Sequence, residues 1–228
     1  WVTGTLDSYS AVCADMANMT GCLVASVDYR LAPEHRFPAG LEDCYAVTRE
    51  IFLNSGLMER EAADIVLIGD SAGGNLAAAV SLMARDRGEF LPGRQILIYP
   101  AVGNDYSETS PYPSVQENGT GYLLTAKRVQ DYLALYRSSE EDLENPYFAP
   151  LQAASFANQP DTLMITAQYC PLRDEGEAYG RKLREAGGYA EIHRIPDALH
   201  GYFALPVRYG PVKLTYEIIN RFLEGDNA

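Results

Sequence analysis

Short apolar runs alternate with stretches of helical periodicity along this chain of 228 residues. Cys22-Leu23-Val24-Ala25-Ser26-Val27-Asp28-Tyr29, Ile65-Val66-Leu67-Ile68, Gln95-Ile96-Leu97-Ile98-Tyr99 and Thr162-Leu163-Met164-Ile165-Thr166-Ala167 are mostly small or apolar. That is the pattern of strands in a sheet covered on both faces. Glu191-Ile192-His193-Arg194-Ile195 alternates polar and apolar positions and predicts one more strand. Helical spacing falls between them. Val12, Met16 and Met19 predict a helix over 7–20, ended by Gly21; Leu41, Tyr45, Val47, Ile51 and Phe52 predict one over 39–54. Further helices are expected at 74–87, 125–137, 173–186 and 211–223. Residues 31–38 form a loop by their two prolines, and 103–122, rich in Gly, Pro, Ser, Asn and Tyr, read as a long ordered loop or lid rather than a core element. Strands alternating with helices predict an α/β protein with a mostly parallel sheet and helices on both faces. The length suits one domain over 1–228, with a lid-like insertion at about 103–150. There are no internal repeats.

One junction in this pattern carries chemistry. Gly69-Asp70-Ser71-Ala72-Gly73 closes the apolar run at 65–68 and opens the small-residue run Gly74-Asn75-Leu76-Ala77-Ala78-Ala79-Val80. A strand turning sharply into a helix at a serine flanked by glycines is a nucleophile elbow, and Ser71 is its candidate nucleophile. The turn strains the serine backbone, and only very small neighbours avoid a clash there. The N–H of Ala72, at the helix N-terminus, is a candidate oxyanion donor. Asp70 and Gly74, beside the elbow, and Tyr106, Tyr112 and Tyr122, in the lid-like region, are candidates for contact with substrate.

A serine hydroxyl needs a base, and the chain has three histidines. His193 sits inside an alternating strand, where a surface or packed role is the default. His35, between Glu34 and Arg36 in a proline-bounded loop, reads as an ion-pair or loop-pinning residue. His200, in Asp197-Ala198-Leu199-His200-Gly201, follows the last strand and is the candidate base.

The chain resembles the hormone-sensitive-lipase-like branch (bacterial family IV) of α/β-hydrolase esterases over nearly its whole length. The resemblance rests on Gly69-Asp70-Ser71-Ala72-Gly73-Gly74-Asn75, Asp28-Tyr29-Arg30-Leu31-Ala32-Pro33-Glu34-His35, Pro171-Leu172-Arg173-Asp174-Glu175-Gly176 and His200-Gly201. It implies hydrolysis of short-acyl carboxylic esters through an acyl-enzyme, with no metal and no cofactor. Two departures stand out. The family places an aspartate directly before the Pro-Leu-Arg-Asp-Glu-Gly run, where this chain has Cys170, and a thiol does not replace a carboxylate's charge near neutrality. Asp197, from the histidine's own loop, or Asp174, about one helical turn past Cys170, is expected to substitute; otherwise the triad is impaired. The family's His-Gly-Gly-Gly oxyanion segment, the strand leading into it and the N-terminal cap helices are also absent. That strand lies between the Cys22 strand and the elbow strand, so its absence leaves two interior edges with unpaired backbone groups. The expectation is that the chain is a fragment, and that an N-terminal segment or a second chain completes the sheet; homodimer formation is left open.

Composition adds exclusions. A formal net charge of −13 argues against nucleic acid or an anionic membrane as partner. No apolar run reaches the roughly twenty residues of a membrane helix. The four cysteines lack paired short spacing, which argues against a zinc site or disulfide framework and for a reducing cytoplasm; Cys22 is expected to pack as a small hydrophobe. A start at Trp1 rather than Met would hide any upstream leader. Two other readings compete with the esterase. One is a catalytically impaired member that binds a small ligand, favoured by Cys170; the other is an amidase or peptidase sharing the same triad logic.

Overall fold

The computed structural model describes residues 1–54, 56 and 61–225. Among the described residues four strands form one parallel sheet in the order β1 (Val66–Asp70), β2 (Arg94–Ile98), β3 (Asp161–Tyr169) and β4 (Ala190–Leu199). Seven α-helices accompany them among the described residues: α1 (Leu6–Thr20), α2 (Ala39–Leu53), α3 (Ala72–Arg87), α4 (Pro113–Asn118), α5 (Ala126–Tyr136), α6 (Arg173–Glu185) and α7 (Gly210–Glu224). The period-2 rule divides the core. Ile96 and Ile98 of β2 and Leu163 and Ile165 of β3 bury against Val212, Ile219 and Phe222 of α7; Leu97 and Met164 face Tyr179 and Leu183 of α6. The mostly parallel sheet with helices on both faces is as the periodicity predicts.

Helix ends follow local chemistry. Thr5 caps α1 by accepting from the Ser8 N–H, and Gly21 ends it in the left-handed region at φ 72°. Thr125 caps α5 in the same way through the Arg128 N–H. Pro196 lies within β4, which is tolerated because β4 is an edge strand.

Three expectations are corrected. Cys22–Tyr29 forms no strand. Among the described residues no strand pairs with its backbone, and Leu23 is 68% exposed. Cys22 is exposed rather than packed, for the same reason. The 103–122 region does contribute to the core: it holds α4, and Tyr106, Ser114, Val115 and Asn118 are buried. Its polar composition reflects hydrogen bonds to the core, such as Ser114 Oγ donating to the Pro171 carbonyl at 2.8 Å.

β1 is consequently a sheet edge, half-buried along its whole length. A cavity of about 1160 Å³ separates it from the unpaired 21–29 segment, with Leu23, Val24 and Ser26 on one wall and Val66, Ile68 and Asp70 on the other.

Candidate active site

Ser71 sits between β1 and α3 at φ 53°, ψ −117°, a backbone conformation that costs energy and persists only where its surroundings over-determine it. Here the Ser71 N–H donates to the Ile98 carbonyl at 2.9 Å, while its own carbonyl accepts from the Asn75 and Ala101 N–H groups. Glycines make the turn possible. A Cβ on Gly69 would overlap the Gly73 carbonyl, and one on Gly74 would lie 2.8 Å from the Pro100 Cβ. Gly74 is thus a packing residue against Pro100, and it is buried. Asn75, fully buried in the next turn, donates to the Ala101 and Phe148 carbonyls and accepts from the Trp1 indole.

His200 follows β4, and its Nε2 lies 2.9 Å from Ser71 Oγ. Its Nδ1 faces the Cys170 sulfur at 3.2 Å, and the Tyr99 ring packs on the imidazole with centroids 4.8 Å apart. Cys170 comes from the loop between β3 and α6. It is fully buried, and its sulfur also accepts from the Leu172 N–H at 3.4 Å. Burial raises the Cys170 thiol well above its ordinary range, so it stays protonated near neutrality. Burial also pushes the His200 imidazole down to about 4, with no carboxylate in contact to oppose it. Near neutral pH this array of hydroxyl, imidazole and thiol therefore carries no charge. The neutral ring can accept a proton at Nε2 only when Nδ1 holds its hydrogen, pointed at the sulfur.

The two aspartates expected to orient this ring do not reach it. Asp197 lies exposed in the irregular stretch of β4, at φ 55°, with its N–H donating to Gln168 Oε1. Asp174 is occupied elsewhere, accepting from the Ser114 N–H at 2.7 Å and pairing with Arg173. His193 pairs with Glu191 on the surface. In the loop that carries His35, Arg36 donates to the Ala134 and Arg137 carbonyls.

The Ala72 N–H, first in α3, has no intrahelical partner, which suits an oxyanion donor. Asp70 lines the cavity and accepts from the Tyr99 hydroxyl at 3.1 Å. Around Ser71 and His200 the cavity wall is largely apolar, from Leu123, Leu124, Val129, Tyr132, Leu172 and Phe203. The tyrosines singled out in the sequence are not in that wall. Tyr106 is buried and donates to Glu175, Tyr112 packs against the core, and Tyr122 stacks on Tyr169 at 5.3 Å. Among the described residues no cluster of His, Cys, Asp and Glu has the arrangement of a metal site, and no helix is long and apolar enough to cross a membrane.

Sequence reasoning missed Glu175, a fully buried carboxylate in the first turn of α6. Its Oε1 accepts from the Val102 and Gly103 N–H groups and the Tyr106 hydroxyl. A signal existed: Leu172, Glu175, Tyr179 and Leu183 recur at helical spacing and form the buried stripe of α6.

Residues 1–204 match a protein family described as having the alpha/beta hydrolase fold. The chain is 37% identical to an arylesterase of Saccharolobus solfataricus over 207 residues, covering 90% of this chain and 66% of the relative. It is also 37% identical to the esterase LipI of Mycobacterium tuberculosis, covering 98% of this chain and 68% of the relative. In three dimensions it resembles a hyperthermophilic esterase from the archaeon Pyrobaculum calidifontis, with TM-score 0.90 and 38% identity over 97% of this chain and 72% of that one. The chain thus spans about two thirds of the length of these curated relatives.

Proposed function

Since the chain belongs to the alpha/beta-hydrolase-fold family, in its hormone-sensitive-lipase-like branch, we propose that it is a serine carboxylesterase acting on short-acyl esters. The observation that carries this reading is the 2.9 Å approach of Ser71 Oγ to His200 Nε2 at a strained strand-to-helix turn. In this reading His200 takes the Ser71 proton as the hydroxyl attacks the ester carbonyl. The Ala72 N–H stabilises the oxyanion, and His200 returns the proton to the leaving alcohol. Water then cleaves the acyl-enzyme by the same route. Cys170 acts as the third member: the Nδ1–H of His200 points at its sulfur, which leaves Nε2 free as the base. A neutral thiol orients the ring without stabilising the imidazolium, so turnover is slow for a site of this geometry.

Incubation with a fluorophosphonate tests the nucleophile. Covalent labelling is expected at Ser71, abolished in Ser71→Ala, together with hydrolysis of p-nitrophenyl acetate. Absence of both in the wild-type chain would leave the ligand-binding reading that Cys170 favours; labelling with preferential cleavage of acyl p-nitroanilides would favour an amidase.

The cavity between β1 and residues 21–29 supports a second part of the proposal. Its two walls are backbone segments lacking a neighbour on that side, and an added strand is what satisfies such edges. A segment of a longer chain or a second chain would occupy it, and would bring further backbone N–H groups towards the elbow. Hydrogen exchange reads this out. The gap-facing amides of β1 should exchange fast in dilute protein. Slowing as concentration rises indicates a second copy; fast exchange at every concentration favours a segment of a longer chain; strong protection already at dilution removes this part of the proposal.

A further inference from the structure

Glu175 has no part in the chemistry above, yet it bonds the segment that supports Ser71 and His200 to the helix that follows Cys170. The segment 99–106 places Tyr99 on the His200 ring, bonds Ala101 to the Ser71 carbonyl, and presents the Val102 and Gly103 N–H groups and the Tyr106 hydroxyl to Glu175. Glu175 itself stands in the first turn of the helix whose leading loop holds Cys170 against Nδ1. Three donors converge on Oε1, while Oε2 is buried without a partner, packed where Gly103 lacks a side chain. The ionisable groups facing it are Tyr106, Tyr112 and Cys170, and among the described residues no arginine or lysine pairs with it.

We propose that Glu175 is a positioning residue for the reaction: its buried carboxylate clamps the 99–106 segment to α6, and its protonation loosens the alignment of Ser71, His200 and Cys170. This rests on the serine-hydrolase reading. The ionised form satisfies all three donors at one oxygen. A proton on Oε2 meets no acceptor, and a proton on Oε1 displaces a donor, so gaining a proton weakens the clamp. Burial, opposed by the three hydrogen bonds, places this change at about pH 7, whereas the His200 imidazole is down at about 4. A reaction limb near neutrality therefore belongs to Glu175, not to the histidine.

Stability gives a readout independent of turnover. Glu175 holds its proton more tightly folded than unfolded, so its stabilising effect is full below the ordinary glutamate range and is lost as pH rises through about 7. His200 has the opposite sign: its contribution is present above its ordinary value and is lost as pH falls towards about 4. In the wild-type chain the two slopes oppose each other in the mildly acidic range.

The test compares wild-type chain, Glu175→Gln and Tyr106→Phe by fluorophosphonate labelling rate at Ser71, and by Tm, across pH 4–9. Wild-type labelling should rise through a limb near pH 7. Glu175→Gln should lose that limb and label about 10- to 100-fold more slowly above it, and its Tm should climb more steeply with pH because the opposing Glu175 slope is gone. Tyr106→Phe removes one donor to the carboxylate, so it should move the limb to higher pH without abolishing it. A merely structural Glu175 would lower Tm and leave the limb in place. The same limb in all three proteins, or parallel Tm curves for wild type and Glu175→Gln, overturns the inference. No labelling of the wild-type chain at any pH overturns the underlying hydrolase reading, and this one with it.

Discussion

Cys170→Asp is expected to raise kcat for p-nitrophenyl acetate by up to about 10³–10⁴-fold, the factor by which a triad loses activity when its aspartate is made neutral. The reason lies in the geometry. Cys170 sulfur already stands 3.2 Å from His200 Nδ1, so a carboxylate grown from the same Cα meets the ring from the same side. It would accept the Nδ1 hydrogen, fix Nε2 as the base, and stabilise the imidazolium that a neutral thiol leaves unsupported. The histidine should then titrate well above its present value of about 4, which would appear as a new limb in the pH profile. The site imposes a cost: position 170 is fully buried and electrostatically coupled to Glu175. A second carboxylate should push Glu175 further towards its protonated form and lower Tm. Cys170→Ser, neutral like the wild type, is the control and should show no gain. A folded Cys170→Asp no faster than Cys170→Ser would remove Cys170 from the third position and with it the account of the slow triad.

Gly69→Ala should cost about 4 kcal/mol or more of stability, roughly 8–16 °C in Tm, and abolish Ser71 labelling. The added Cβ would overlap the Gly73 carbonyl and approach the Gly74 nitrogen to 2.8 Å. Neither side of the turn can yield, because Ser71, between Gly69 and Gly73, is held by its own bonds to Ile98 and Ala101. Relief would come only by opening the turn, which moves Oγ away from His200. Gly73→Ala is the matching control: its added Cβ meets nothing within 4 Å, so Tm should stay within a few degrees. Chemical denaturation and labelling of the two variants decide the matter; equal stability would show that the elbow relaxes.

The strands at 65–68, 95–99, 162–167 and 191–195 were legible because apolar continuity and alternation are local consequences of burial on both faces or one. Cys22–Tyr29 carries the same signal and forms no strand, since a strand exists only when paired and periodicity says nothing of whether its partner is present. Tyr106 misled for a related reason. Its neighbours have the composition of a loop, yet its hydroxyl finds a buried carboxylate 69 residues away.

The linear order of residues determined the nucleophile's surroundings and the histidine's place after the last strand, because an elbow depends on neighbours a few positions apart. It did not determine the third member. Asp197 and Asp174 stand as close in sequence to His200 and Cys170 as a substitute acid needs. One stands exposed in the irregular stretch of β4, however, and Arg173 and the Ser114 N–H occupy the other. Only the tertiary structure decided that Nδ1 meets a buried thiol, that the site is uncharged near neutrality, and that Glu175 stands behind it. Each of these depends on burial and on contacts across 30 or more residues, where desolvation outweighs the intrinsic chemistry of the side chain.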